Sequence, residues 1–181
     1  MDAGISQEFR YLDTEAERQE LAKDIRLVRQ AVIELAESVP EAQWYEPRYH
    51  GWSLAALLAH LNTIDNFAMF AIRLSLLGIR PPLSPNALDQ FNDLTARVFH
   101  RRLVATTIRG LKNNENRIID FVMTMPIDRF TCEVYHPPTR RYLTVERALQ
   151  QYLLFHWQEE LQLMQKVEGI YYEPPTSSAE M

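Results

Sequence analysis

The chain has 181 residues, of which 46% are hydrophobic and 24% are charged, and its net charge is −5 at pH 7. This length and composition are typical of one soluble globular domain with a complete core. The negative charge argues against a dedicated nucleic-acid-binding protein, because neutralising phosphates takes clustered Lys and Arg. Basic residues do bunch at 100–102 and 140–141, but no aromatic-basic platform accompanies them. We therefore expect solvated surfaces there and no nucleic-acid partner.

The single cysteine, Cys132, excludes an intramolecular disulfide and a multi-cysteine zinc site. One free thiol fits a reducing cytoplasm, and the polar first residues do not resemble a signal peptide. The longest apolar stretch, 67–77, is interrupted by Arg73 and is too short to span a bilayer. These features predict a cytoplasmic protein with no membrane partner.

The first predicted helix spans Thr14–Val39, where apolar residues recur at steps of three and four with charged residues between them. Thr14 and Glu17 have the spacing of a capping box, in which each side chain bonds the other residue's backbone N–H. Pro40 ends this helix. The segment 41–50 then predicts an ordered loop with aromatic anchors.

The second predicted helix begins after Ser53 as N-cap and runs to about Leu77, with Gly78 as the residue beyond its end. Its first turns carry leucines at helical spacing, namely Leu54, Leu57, Leu58 and Leu61. His60 therefore lies beside or within an apolar stripe. A histidine there is either satisfied by a buried partner or held as a ligand. Two prolines make 79–85 a crossover loop.

The third predicted helix spans 86–125, with a kink near 110–114. Residues 130–135 alternate as a short strand or extended segment. The fourth predicted helix spans Thr144–Val167, with Thr144 as N-cap. Four long amphipathic segments predict an all-α four-helix bundle with a long crossover connection and a short extended segment before the last helix. We expect a single domain over 1–170 and a flexible tail over 171–181.

The fourth helix carries the chemistry that the sequence offers. His156 and Glu160 lie one turn apart on a stripe that is otherwise apolar. Two polar side chains there are costly unless they are paired or bind something. An imidazole nitrogen and a carboxylate oxygen at i and i+4 can ligate zinc or another divalent transition metal, and His60 is the natural third ligand. Three protein ligands leave room for water or substrate, as in catalytic sites.

A second interpretation of the same residues needs no metal. His156 would hydrogen-bond a neighbour in the core, while Glu159 and Glu160 would be solvated. The remaining histidines lie in or near predicted loops or on exposed faces, where structural roles are the rule; they are His50, His100 and His136.

A set of residues before the second helix, at its start and in the last helix has the spacing of a known family: Trp44, Pro47, Gly51, Trp52, Ser53, His60, Leu61, His156, Glu159, Glu160, Leu161 and Gln162. In these residues, and in a long third helix that ends in a proline-marked loop, the chain resembles the DinB/YfiT-like superfamily of small bacterial four-helix-bundle proteins. The resemblance covers residues 14–167.

The resemblance implies a metal site with one departure. In that family three histidines typically hold a divalent metal, often zinc or nickel, one from the second helix and two from the fourth as His-x-x-x-His. His60 and His156 match the first two, whereas the third position is Glu160. A carboxylate would shift the preference away from soft ions. Family members include thiol-dependent transferases and isomerases, and homodimers are common among them.

Three functions are consistent with these residues. The first is a metal-dependent transferase or hydrolase that acts on a small molecule, with a low-molecular-weight thiol as a candidate substrate. In it, Asp65 or Glu159 could orient an imidazole and Tyr152 could line the pocket or donate to a substrate oxygen. The second is a metal-free dimeric binding or scaffold protein with the same residues in a hydrogen-bonded core cluster. The third is a small-molecule sensor.

Overall fold

The computed structural model describes residues 8–79 and 85–170, without the side chains of residues 85–89, 91 and 92. Most of the predicted crossover loop, at 80–84, and the predicted tail at 171–181 lie outside the described residues. The helices and strands are α1 (Glu15–Ser38), α2 (Leu54–Leu76), α3 (Pro85–Phe99), α4 (Val104–Thr124), β1 (Glu133–His136), β2 (Arg141–Thr144), α5 (Val145–Gln150) and α6 (His156–Glu168), with a π-helical segment, Gln151–Phe155, between α5 and α6.

The starts of the first two helices follow the local sequence. At α1, the Thr14 hydroxyl accepts the Glu17 N–H at 3.2 Å, and the Glu17 carboxylate accepts the Thr14 N–H at 2.8 Å. This is the predicted capping box. At α2, the Ser53 hydroxyl accepts the Ala56 N–H at 3.1 Å. Both predicted starts are confirmed. The sequence could show them because each cap forms between residues three positions apart.

The prediction of one long third helix was wrong. The chain forms α3 and α4, separated at residues 100–103, and α4 is unbroken over 110–114. The His100 carbonyl at the end of α3 accepts the Ser53 hydroxyl at 2.9 Å, so it is satisfied from the start of α2 and not by a continuing helix. Gly110 lies inside α4, where packing against α2 outweighs its low helix propensity.

The segment before the last helix forms a two-stranded antiparallel hairpin of β1 and β2. Only the first strand was anticipated from the sequence. Between the strands Arg140 has a left-handed backbone with φ 53°. Thr144 is the residue before α5, as predicted, but its hydroxyl donates to the Glu146 carboxylate at 3.4 Å and does not cap the helix.

The last predicted helix is continuous in the structure, but its hydrogen-bonding pattern changes in the π segment between α5 and α6. The N–H of His156 bonds to the carbonyl of Gln151, five residues earlier, where an α-helix would bond four residues earlier. Gly169, with φ 65°, ends the run in the left-handed conformation that favours glycine. The π segment was not predicted, because an extra residue in one turn leaves no mark in the apolar spacing.

The bundle consists of α1, α2, α4 and the run from α5 to α6. Helix α1 packs against α4 and α6, and α2 packs against α3, α4 and the π segment. This arrangement confirms the four-helix bundle, with α3 in the connection between α2 and α4. Helix α2 is long and apolar enough to cross a bilayer by length and composition, but 72% of its most apolar window is buried inside the protein, as in the core helix of a soluble fold.

A buried ion pair joins the two diagonal helices of the bundle. Arg29 Nη2 of α1 donates to Asp65 Oδ1 of α2 at 2.8 Å, and both side chains are 0% exposed. The same Asp65 oxygen accepts Trp157 Nε1 at 3.0 Å, and Arg29 Nη1 donates to the Leu153 carbonyl at 2.9 Å. Burial raises the pKa of Asp65, and the Arg29 guanidinium opposes that shift. The pair thus connects α1, α2, the π segment and α6.

We expect Asp65→Asn to lower the free energy of unfolding by about 3–5 kcal/mol, because it leaves the Arg29 charge buried without a counter-charge. Urea denaturation measures this loss. The matched control is Glu37→Gln, which removes the exposed partner of Lys112 at 3.5 Å and should cost less than about 1 kcal/mol. Similar small losses in the two variants would contradict a structural role for the buried pair.

Candidate metal centre

The structure brings the three residues of the predicted site together. His60 of α2 and His156 and Glu160 of α6 each offer one donor atom, and these atoms all lie within 4.8 Å of one another. The His60 side chain is buried, with 5% of the residue exposed, whereas the side chains of His156 and Glu160 are 23% and 17% exposed. The cluster therefore has one side in the core and one side open to solvent.

The distances within the cluster fit a shared ion with a small adjustment. The Nε2 atoms of His60 and His156 lie 3.1 Å apart, and His156 Nε2 lies 4.0 Å from Glu160 Oε1. Ligand bonds of about 2.0–2.1 Å keep two donors on one ion within about 4.2 Å of each other. Both of these separations meet that limit, and the 4.8 Å bound on the whole set leaves only a small movement for the remaining pair, His60 and Glu160. The donor set of two imidazoles and one carboxylate suits zinc and related ions.

Burial controls the protonation of the cluster. Desolvation, together with the neighbouring His156, lowers the pKa of His60 to about 3. His60 is therefore neutral at pH 7, which is the form that ligates metals. Desolvation raises the pKa of Glu160, while His156 and His50 oppose that shift. The cluster is thus a neutral imidazole, a second imidazole and a partly buried carboxylate.

His50, for which the sequence predicted only a structural role, is a neighbour of this cluster. Its charged form acts on the Glu160 carboxylate. It lies with Gly51 in a tight turn closed by the Tyr49–Trp52 bridge, and both turn residues have positive φ, 50° and 84°. Both central residues of a type I′ turn need this conformation, which histidine tolerates better than most residues. Nothing in the spacing of the sequence linked this turn to the last helix.

The other residues considered for the site have separate places. Glu159 is exposed and its carboxylate lies 3.8 Å from His156 Nδ1, on the side away from His60. Asp65 contacts Arg29 and Trp157 and orients no imidazole among the described residues.

Tyr152 packs against Phe67 and His136, with ring centroids 6.3 and 5.0 Å apart. Because Tyr152 lies in the π segment, the four-residue spacing to His156 does not place the two side chains on one α-helical face. Burial raises the pKa of Tyr152, and its hydroxyl has no hydrogen-bond partner within the described part of the chain. His136 lies beside the hairpin turn, near a loop as expected, and it is buried, with its Nδ1 2.8 Å from the Thr139 hydroxyl.

One residue of the basic run at 100–102, His100, lies beside aromatic residues that its sequence position did not link to it. Tyr45 and Trp52 line one cavity together with Arg97 and His100 of the α3 end. These residues come from two segments far apart in the sequence, so their proximity depends on the fold. The Trp52 ring also contacts the His60 ring edge-to-face at 5.0 Å. The cavity and the candidate metal centre are therefore neighbours.

Two solved structures resemble this chain. YfiT from Bacillus subtilis, described as a probable metal-dependent hydrolase with an unusual four-helix bundle topology, has a TM-score of 0.68 at 19% identity, covering 86% of this chain and 88% of YfiT. The colibactin self-resistance protein ClbS, solved in complex with double-stranded DNA, has a TM-score of 0.69 at 15% identity, covering 86% of this chain and 97% of ClbS. These similarities show the fold. No curated protein matches the chain by sequence.

The ClbS complex corrects the expectation of no nucleic-acid partner. A protein of this fold binds double-stranded DNA, so the argument from a net charge of −5 does not exclude nucleic acid for proteins of this architecture. The physical reason is that binding depends on the local placement of charges, which the sum over the chain does not describe.

The sequence model of the DinB superfamily matches residues 24–159, which is most of the chain and includes His60 and His156. Together with the bundle and its connection through α3, this match establishes that the chain belongs to the DinB superfamily.

Proposed function

We propose that this protein is a metal-dependent enzyme that acts on a small molecule, with His60, His156 and Glu160 as the metal ligands. The observation that carries the proposal is the convergence of three donor atoms within 4.8 Å from two helices. The description of YfiT as a probable metal-dependent hydrolase supports the same class of function. The chemistry that a zinc or nickel ion supplies when bound is Lewis-acid activation of a water, a thiol or a carbonyl group.

The protein's own residues prepare such a site in distinct ways. His60, which is neutral because burial lowers its pKa, and His156 offer Nε2 as donor atoms, and Glu160 offers a carboxylate whose charge favours a cation. The Glu159 carboxylate lies 3.8 Å from His156 Nδ1, so a small approach of the two side chains lets it accept a hydrogen bond from Nδ1–H and hold the ring's orientation. The open side of the cluster admits a substrate, and we infer a hydrolase-like or thiol-transferase-like reaction.

A metal-free scaffold is the second candidate function. It is favoured by the 3.1 Å separation of the two Nε2 atoms, which is also the length of an N–H···N hydrogen bond. In that case His60 and His156 form a polar contact in the core and Glu160 is an acceptor at its edge. A homodimer, a cytoplasmic location and the single-domain assignment over 1–170 stay predictions.

Metal binding separates the two functions. We expect untagged protein to take up about one equivalent of zinc or nickel, measured by elemental analysis and calorimetric titration. His60→Ala should abolish uptake, whereas His100→Gln, at an exposed histidine outside the cluster, should leave it unchanged. Glu160→Gln should weaken binding by at least about tenfold, and Glu160→His, which recreates His-x-x-x-His, should strengthen nickel binding by a similar factor.

Wild-type protein with less than about a tenth of an equivalent, unchanged by His60→Ala, would establish the metal-free function. Equal affinities in the two Glu160 variants and wild type would remove Glu160 from the ligand set.

Activity should follow metal occupancy. We expect turnover in a panel of esters, amides, low-molecular-weight thiols and electrophiles only after zinc or nickel is added, and a loss of at least about a hundredfold in His156→Ala. Glu37→Gln, exposed on α1, is the control that should keep full activity. Product analysis by mass spectrometry distinguishes hydrolysis from thiol transfer. Turnover that persists with a chelator present would contradict the proposal.

The stability of the metal-free protein should fall in acid because of His60. Its pKa is about 3 in the fold and 6.5 as an isolated side chain, so between these values the unfolded chain holds a proton that the folded chain lacks. The folded state then loses up to about 1.4 kcal/mol per pH unit as the pH falls below about 6.5.

Urea denaturation of chelator-treated protein at about pH 7 and about pH 5 measures this slope. His60→Gln should give a shallower slope. Glu160, whose pKa burial raises, contributes with the opposite sign in both proteins and cancels in the comparison. An unchanged slope in the variant would show that His60 is not the group that titrates.

A further inference from the structure

A cavity of about 520 Å³ lies beside the candidate metal centre, between the loop before α2 and the end of α3. We name it the Trp52 cavity, and its lining residues are Tyr45, Pro47, Gly51, Trp52, Ser53, Ala56, Asp93, Ala96, Arg97 and His100. Its volume falls within the range of small-molecule sites. The Ser53 hydroxyl donates to the His100 carbonyl at 2.9 Å, which fixes the two sides relative to each other.

One wall of the cavity is charged. Arg97 and Asp93 lie one turn apart on α3, and both are exposed. No carboxylate of the described residues, Asp93 included, lies within ion-pair distance of the Arg97 guanidinium. Arg97 therefore has its planar set of N–H donors available for a ligand, and carboxylates and phosphates match that geometry.

The lining also includes two aromatic residues, and one of them adjoins the candidate metal centre. Tyr45 and Trp52 line the cavity, and the Trp52 ring contacts the His60 ring at 5.0 Å between centroids. Ala56, which also lines the cavity, precedes His60 by one turn of α2. The Trp52 side chain thus lines the cavity and also contacts the candidate metal centre.

We propose that the Trp52 cavity binds a small organic anion, with a flat unsaturated group against Trp52 and Tyr45 and a carboxylate or phosphate on Arg97. The inference deepens the proposed function, on which it rests for the anion's role as substrate. One observation favours a small anion over a nucleic acid: the cavity has the volume for one small molecule.

The test uses 2-naphthoate as the probe and uncharged 2-naphthalenemethanol as its matched control, with binding to full-length protein measured by calorimetry. Arg97→Gln should weaken naphthoate binding by roughly tenfold or more, because a charge-assisted contact is lost. Asp93→Asn should strengthen it, because a like charge is removed. Neither variant should change the affinity for the alcohol. Arg101→Gln, an exposed arginine that does not line the cavity, should leave naphthoate binding unchanged.

Some results would overturn the proposal. These are no naphthoate binding by wild type, or equal losses in Arg97→Gln and Arg101→Gln. Binding of a short DNA duplex that both arginine variants weaken alike, without naphthoate binding, would assign this face to nucleic acid.

Repeating the titration with benzoate and with phenyl phosphate as ligands, and comparing their affinities, shows whether the site prefers a carboxylate or a phosphate. His156→Ala, which should lose metal but keep naphthoate because His156 does not line the cavity, separates the two proposals. If wild-type protein takes up metal but does not bind naphthoate, only the proposal of an anion site in the Trp52 cavity is rejected. If it binds naphthoate but takes up no metal, only the proposal of a metal centre is rejected.

Discussion

The arrangement of the bundle depends on the buried contact of Arg29 with Asp65 and Trp157. Two of these residues lie on helices that face each other diagonally, and the third follows His156 directly in α6. Successive residues of an α-helix are rotated by about 100°. When Asp65 accepts the Trp157 indole at 3.0 Å, it sets the rotation of α6 and so directs the neighbouring imidazole toward His60. The candidate site therefore depends on a contact that includes none of its ligands.

The energetics of the buried Arg29–Asp65 ion pair suit a role in orienting the helices more than a role in stabilising the fold. Removing two charges from water costs several kcal/mol per ion, and a buried pair often contributes little net stability over apolar residues of the same volume. Arg29 has further contacts that offset this cost, since its guanidinium stacks over the Trp157 ring at 4.2 Å and bonds the Leu153 carbonyl. That carbonyl belongs to the π segment, where the widened turn changes the backbone pairing. The same arginine thus satisfies the irregular turn and holds the indole next to it.

The sequence predicted those features that depend on near neighbours. Both N-terminal caps and the shared face of His156 and Glu160 rest on spacings of three or four residues within one regular helix. It could not show the break at 100–103, because a carbonyl there is satisfied by Ser53 from a distant segment. The π segment has no spacing signal, so the sequence could not place Tyr152 relative to His156. Arg29 resembled other charged residues between apolar positions, and only the three-dimensional structure shows that it is buried.

Net charge was the weakest guide to partners, for a reason that the Trp52 cavity illustrates. A charge of −5 describes the field at a distance, which salt screens within about 10 Å. Recognition occurs at shorter range, where a few side chains determine the local potential. Trp52 and Arg97 are 45 positions apart in the chain, yet they line one cavity. An acidic protein can therefore present an arginine beside aromatic side chains wherever folding brings such residues together, and what it binds depends on that local surface.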